Sequence, residues 1–330
     1  MFQYVLLDSH TLPGARYEIE GDLLNQAGIA CQICACKTEE EILAAAKDAD
    51  AVGLVYAKIT AEMMDRMPKC RVLVRYGIGF DSIDVPAATQ RGIVVCNLPD
   101  YCLKDVATHA LALLLDLCRK TTLLDKDVRR GNWNGNYGYR IDRICDMVVG
   151  LAGFGNIARE FAKYVSVFGG KVIAYDPYAP DELFQALGVE RVGFDELCAR
   201  SDAISVHTPL TDETRHLIDR ASIAKMKDGV ILINTSRGPV VSQDDLVAAL
   251  KSGKVKAAGM DVMEREPLTD LADQVYGCEN LILNPHSAYN SVQAEEEQHQ
   301  KVAQSVIDVL LKEIVPYNAV NKKGLAERKA

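Results

Sequence analysis

The 330-residue sequence predicts an α/β protein made of two doubly wound, parallel-sheet domains. Three observations point there. Short apolar runs alternate with helical patterns from end to end, the rhythm of βα units. The alternation forms two series separated by one long helical stretch. The second series holds six strand-like runs, as many as the larger of the doubly wound sheets requires.

The first series opens with "YVLLD" (4–8), followed by a helical pattern around 17–27. "ACQICAC" (30–36) reads as a buried strand, "AVGLV" (51–55) precedes the helical "TAEMMDRM", and "RVLVRYG" (71–77) leads to a helix near 84–90. "GIVVCN" (92–97) closes the series. Residues 105–131 then read as one long helical segment, too apolar on one side to face water all round. The second series is "MVVGLAG" (147–153), "KVIAYD" (171–176), "AISVH" (203–207), "GVILINT" (229–235), "VKAAGMD" (255–261) and "LILNP" (281–285). One further amphipathic helix is expected over about 290–312.

Composition narrows the function classes. The chain is 48% hydrophobic and 25% charged, with a formal net charge of −9, which argues against direct nucleic-acid binding. The longest apolar stretch breaks at Asp116, short of a membrane span, and the N-terminus lacks the basic flank of a signal peptide. Ten scattered cysteines suit a reducing cytoplasm. Cys31, Cys34 and Cys36 invite a zinc reading, but no second ligand pair follows at zinc spacing. Packing of small residues in a strand is the better account, and no metal site is expected.

The first strand of the second series runs into "GLAGFGNIAREF", where Gly153, Gly155, Asn156, Ile157 and Ala158 fit G-x-G-x-x-[GA]. The first glycine permits a tight turn, the second lets backbone approach a pyrophosphate, and the small third residue lets helix pack on strand. The helix N-terminus offers unpaired N–H groups to phosphate. Alone, this match is weak. The next strand, however, ends at Asp176, whose carboxylate would accept the adenosine ribose hydroxyls and repel a 2′-phosphate. The expected cofactor is therefore NAD; a purely structural glycine turn is the competing account.

The pieces "VRYGIGFDSID", "NLPDY", "GLAGFGNIAR", "HTPLTDETRHLI", "INTSRGPVV", "AAGMDVMEREP" and "NPHSAY" together resemble the D-isomer-specific 2-hydroxyacid dehydrogenases, in that family's order, over about 70–300. "LVRYGIGFDSID" and "PHSAYNSVQA" look nearest the C-terminal-binding-protein branch. The resemblance implies a flavodoxin-like substrate domain (1–98 plus 289–330), a Rossmann NAD-binding domain (99–288) and a cleft between them. It implies catalysis by Arg237, Glu266 and His286. It also implies substrate contacts from Arg75, Gly77, Ile78 and Tyr101, with Tyr289 walling the pocket. Thr208, Pro209, Thr235 and Asp261 would join the cofactor contacts, and segment 105–131 would form a homodimer interface.

The chemistry of the trio can be argued apart from the likeness. Histidine is the side chain best suited to exchanging a proton near neutrality. A glutamate can hold its tautomer and charged form, and an arginine offers a planar fork to a carboxylate. Each type alone is more often structural, and Arg75 could equally tie down a sheet edge. All three of Arg237, Glu266 and His286 nevertheless fall at or just beyond the C-terminal ends of expected parallel strands, where sites in such sheets form. Among the other histidines, His109 is expected to be packing and His207 strand-end structure near the adenosine. His10, His216 and His299 are expected to be polar surface. Two positions depart from the family pattern, Thr108 and Ala158, and neither touches the proton chemistry.

The expectation is an NAD-dependent dehydrogenase acting on a small 2-hydroxy or 2-keto acid. A phosphoglycerate dehydrogenase is less expected, since no regulatory domain is read beyond about residue 312. The competing class is an NAD-sensing interaction protein with little turnover.

Overall fold

The computed structural model describes residues 1–135 and 141–329. The chain divides into two compact units, Met1–Tyr101 with Ser291–Ala330, and Cys102–Asn290. Each has its own parallel sheet.

In unit 1 the strands are β1 (Gln3–Leu6), β2 (Ala30–Ile33), β3 (Ala51–Leu54), β4 (Val72–Arg75) and β5 (Val94–Cys96). They pair in the order β2-β1-β3-β4-β5, all parallel. This is the flavodoxin-like order. Helices α1 (Glu18–Gln26), α2 (Glu39–Ala46), α3 (Ala61–Asp65) and α4 (Val85–Arg91) connect them. Central strands covered on both faces have to be apolar throughout, which is why β3 reads as an unbroken run of buried residues. The expected buried strand at 30–36 is instead the sheet edge: β2 is partly exposed along its length, and of its cysteines only Cys36 is buried. All ten cysteines are free thiols.

Unit 2 begins with α5 (Leu103–Arg119) and α6 (Thr121–Arg129). The single long helix expected at 105–131 is broken at Lys120, which adopts a left-handed φ of 58°. The carboxylate of Asp116 accepts the Thr122 N–H at 2.8 Å and the Thr121 hydroxyl at 2.5 Å, capping the new helix. The apolar stripe of α5 is absorbed by the core of this unit, through Ala107, Ala110, Leu113, Leu114 and Leu117. The surplus hydrophobic surface expected of the segment is therefore not on α5. By contrast α6 buries no residue and exposes Val128.

The second sheet contains β6 (Val148–Ala152), β7 (Lys171–Tyr175), β8 (Glu190–Arg191), β9 (Ala203–Val206), β10 (Val230–Asn234), β11 (Val255–Met260) and β12 (Leu281–Leu283). Its order is β12-β11-β10-β9-β6-β7-β8. Six strands match the six apolar runs; β8 is a two-residue polar edge with no run to announce it. Helices α7 (Asn156–Val167), α8 (Asp181–Leu187), α9 (Phe194–Arg200), α10 (Arg220–Lys225) and α11 (Gln243–Ser252) make the crossovers. The order reverses direction between β6 and β9, and the loops leaving these two strands meet at the topological switch point.

The chain then returns to unit 1 as α12 (Val292–Leu310), with α13 (Lys322–Lys329) beyond it. The first was expected; the second was not.

Candidate active site

At the switch point, β6 hands over to α7 through the glycine-rich turn. Gly153 has φ +95°, and a side chain there would meet the His207 carbonyl at 2.9 Å. The turn thus requires glycine both for its dihedral and for the passage of the loop after β9. Nothing of the protein lies within 4 Å of where a Gly155 side chain would stand. Gly155 is the N-cap of α7 and no side chain caps that helix, so its first N–H groups remain available to an anion. Gly155 and Asn156 are exposed, Ile157 is half-buried and Ala158 is buried against the sheet.

Asp176 follows β7. Its Oδ2 accepts the Phe154 N–H at 2.8 Å, and its Oδ1 accepts those of Tyr178 and Ala179 at 2.9 and 3.0 Å. The carboxylate is therefore fixed beside the glycine turn. Past β9 and β10, the hydroxyls of Thr208 and Thr235 are buried with no hydrogen-bond partner among the described residues. Pro209 is exposed.

The loops after β10, β11 and β12 bring three expected residues together. His286 Nδ1 lies 2.8 Å from Glu266 Oε2, and Glu266 Oε1 accepts the Met263 N–H at 2.7 Å. The two side chains are 25% and 35% exposed, open enough to exchange a proton. Burial raises the Glu266 pKa, but the His286 hydrogen bond and charge, the Met263 N–H and the nearby Arg237 charge outweigh it and hold the carboxyl below its usual range. His286 itself has φ +53°, unusual for a residue with a side chain, and its N–H donates to Asp261 O at 2.7 Å.

Asp261 is the anchor under this turn. At 1% exposure, its carboxylate accepts the Ser287 N–H at 2.9 Å and the Ala288 N–H at 3.0 Å. Two residues not singled out from sequence build the Arg237 loop. Buried Asn234 donates to Arg237 O at 2.9 Å and accepts from the Ser236 N–H and hydroxyl. Gly238 sits so close to the next loop that a side chain would fall 1.8 Å from Met263 O. That close approach is how Arg237 and Glu266 come to share an electrostatic environment. The Asn and Gly of "NTSRG" were the signal for both.

In unit 1, Arg75 ends β4 and its Nη1 donates to Tyr76 O at 3.0 Å, over the Tyr56 ring. Gly77 and Ile78 follow; their carbonyls accept from Leu98 N–H at 2.9 Å and Asn97 Nδ2 at 2.6 Å. Tyr101 is buried. Tyr289 belongs to unit 2, its ring edge-on to His286 with centroids 6.3 Å apart.

Residues 111–288 match the family described as D-isomer specific 2-hydroxyacid dehydrogenase, NAD binding domain. The D-3-phosphoglycerate dehydrogenase of Mycobacterium leprae is 40% identical over 86% of this chain and 53% of its own length. The glyoxylate reductase of Korarchaeum cryptofilum is 36% identical over 88% of each chain. The chain belongs to the D-isomer-specific 2-hydroxyacid dehydrogenase family. It spans about half the length of its phosphoglycerate dehydrogenase relatives and most of the reductase. Among solved structures, the D-lactate dehydrogenase of Aquifex aeolicus, complexed with NAD and lactic acid, superposes with a TM-score of 0.83 at 28% identity, covering 94% of this chain and 96% of that one.

As in any member of this dehydrogenase family, the nucleotide domain has to accept NAD. Its residues fit the cofactor: an uncapped helix N-terminus beside an open glycine turn, a fixed carboxylate one strand away, and two buried hydroxyls without partners.

One histidine departs from expectation. His299, expected on the surface, is wholly buried and paired with Glu20. Its helix docks on α1, and no local pattern announces that. His216 is exposed as expected, but its Nε2 lies 2.7 Å from Glu264. His109, expected as packing, is half-buried, 3.6 Å from Asp261 and 3.2 Å from Asn284. His207 contacts Ser205 Oγ at 2.9 Å, and burial pushes its pKa down to about 4.

Proposed function

We propose that this chain is an NAD-dependent D-2-hydroxyacid dehydrogenase working as a 2-keto acid reductase. The observation that carries the proposal is the Glu266–His286 pair, 2.8 Å apart on the loops after β11 and β12, in the sheet that bears the nucleotide turn. When bound, the reduced nicotinamide supplies the hydride. His286, protonated, gives its proton to the C2 oxygen as C2 accepts that hydride, so the carbonyl becomes an alcohol and the imidazole is left neutral. Glu266 fixes the ring through Nδ1, leaving Nε2 toward substrate, and stabilises the imidazolium. Arg237 binds the substrate carboxylate and polarises the C2 oxygen.

Unit 1 serves as the substrate domain, with Arg75, Gly77, Ile78 and Tyr101 as the substrate contacts. Tyr289 limits side-chain size, the feature in which the likeness to the C-terminal-binding-protein branch matters. Asp176, held by three backbone amides, favours NAD over NADP because a 2′-phosphate would meet its charge. Asn156, Ile157, Thr208, Pro209, Thr235 and Asp261 complete the nucleotide site. A homodimer would use segment 105–131, where α6 leaves Val128 exposed.

The test is NADH consumption with pyruvate, glyoxylate, hydroxypyruvate, phenylpyruvate and branched 2-keto acids. D-3-phosphoglycerate with NAD is added for the opposite direction. Turnover on at least one of the 2-keto acids that disappears in His286→Ala is the expected result. NADH binding with no turnover on any substrate would overturn the reading and favour an NAD-sensing interaction protein.

A further inference from the structure

Unit 1 encloses a polar cluster with no part in the proton chemistry above. Glu20 on α1 and His299 on α12 face each other, carboxyl to imidazole, both at 0% exposure. Glu20 Oε1 accepts the Tyr76 hydroxyl at 2.6 Å, and that hydroxyl also contacts Tyr4 OH at 2.7 Å. The Tyr17 ring meets both Tyr76 and His299 edge-on. Arg16, just before α1, pairs with Glu295 of α12 at 3.0 Å. Two contacts, 16–295 and 20–299, thus hold the start of α1 against α12.

Tyr76 connects this cluster to the substrate loop. Its neighbour Arg75 folds back so that Nη1 donates to Tyr76 O at 3.0 Å. The guanidinium then fills the space beside Gly77, where a side chain would fall 1.6 Å from that nitrogen. Tyr76 stands directly between Arg75, the last residue of β4, and Gly77, so anchoring its side chain at the helices holds the backbone that carries both. Hydrophobic packing alone could fill the volume, but a ring held only by contact can slide, whereas a hydroxyl bound to a paired carboxylate has one position.

We propose that Glu20, His299 and Tyr76 are positioning residues that set the geometry of the substrate-contact loop 75–78. This rests on the functional reading above for the loop's ligand, though not for its order. The test compares Tyr76→Phe and the double variant Glu20→Leu/His299→Leu with wild type by hydrogen exchange of the 75–78 segment and by steady-state kinetics. Both variants conserve volume, and the double one removes both polar partners together, so folding is preserved. Expected are exchange of the segment faster by about tenfold, KM for the 2-keto acid raised about tenfold with kcat within about threefold, and unchanged NADH affinity. Folded variants with wild-type exchange or wild-type KM would overturn the proposal. If wild type turns over no 2-keto acid, the functional reading fails, while the exchange measurement still decides the positioning role.

Discussion

Units 1 and 2 each hold a glutamate–histidine pair, and the two pairs occupy opposite environments. Glu266 and His286 stand on loops at the ends of parallel strands, partly open, with the Arg237 charge beside them. Glu20 and His299 stand on two helices, sealed from solvent and bound to a tyrosine hydroxyl. The same two side chains can exchange a proton with a reacting group in one place and can only hold a position in the other. Access decides, together with what else converges. The third pair, His216–Glu264, is exposed too, but Glu264 also accepts the Gln243 N–H at 3.1 Å, so it ties a loop to the start of α11. The Arg265 charge also reaches Glu264, so an exposed pair beside an arginine does not by itself make a site.

The largest effect should come from the open pair. His286→Asn lowers kcat by about 10²–10⁴, the usual worth of a general acid, while His216→Asn leaves it within about threefold. Steady-state kinetics on the best substrate separates them. Loss of both activities alike would erase the distinction between the pairs.

The sealed pair should be felt in stability. His299→Ala takes away the neighbour of a fully buried glutamate and costs on the order of 3–5 kcal/mol, whereas replacing both residues together by leucine is near neutral. Denaturant unfolding of the single and double variants measures this. A single variant as stable as the double would mean that Glu20 is not held by His299.

Much of this arrangement was legible in the sequence. The apolar runs located the central strands because strands buried on both faces have no polar alternative. The Gly153 turn and the Asp176 strand end gave the nucleotide site. The trio came from the family resemblance, with its chemistry and its place at strand ends as support. What stayed hidden depends on contacts distant in the chain. His299 lies in the polar run "EEEQHQK", and its burial comes from docking on a helix whose matching pair, Arg16 and Glu295, is 279 residues apart in sequence. The break at Lys120 has no glycine or proline to mark it; the Asp116 carboxylate reaching Thr121 and Thr122 makes it. The two-residue strand β8 is polar, so no hydrophobic run marks it, and β2 was read as a strand without its place at the sheet edge.

Two smaller effects sharpen the contrast within unit 2. Asp176→Ala should weaken NADH binding about tenfold, near 1.4 kcal/mol, and narrow the preference against NADPH. Fluorescence titration with both nucleotides checks this, and an unchanged preference would remove Asp176 from the specificity argument. His207 should appear only in acid. Its folded-state pKa of about 4 lies below the ordinary 6.5, so the unfolded chain takes up the proton first. Its contribution is complete above about pH 6.5 and is lost as pH falls toward 4, by up to roughly 3 kcal/mol. Partial exposure of the residue trims that figure. His207→Asn should flatten this part of the stability profile; an unchanged acid slope would assign it to other groups. Glu266 follows the same direction: with its pKa lowered, the stability of its pair is full above the ordinary carboxylate range and is lost as pH falls through the lowered value.

The central claim is that Glu266 and His286 act as one proton-transferring unit. Its most direct test is a double-mutant cycle in kcat for keto-acid reduction, using Glu266→Gln, His286→Asn and both together. Residues acting as a unit are far from additive, so the double variant should be no slower than His286→Asn alone. Losses that multiply, or a His286→Asn enzyme that retains wild-type kcat with chemistry rate-limiting, would contradict the account.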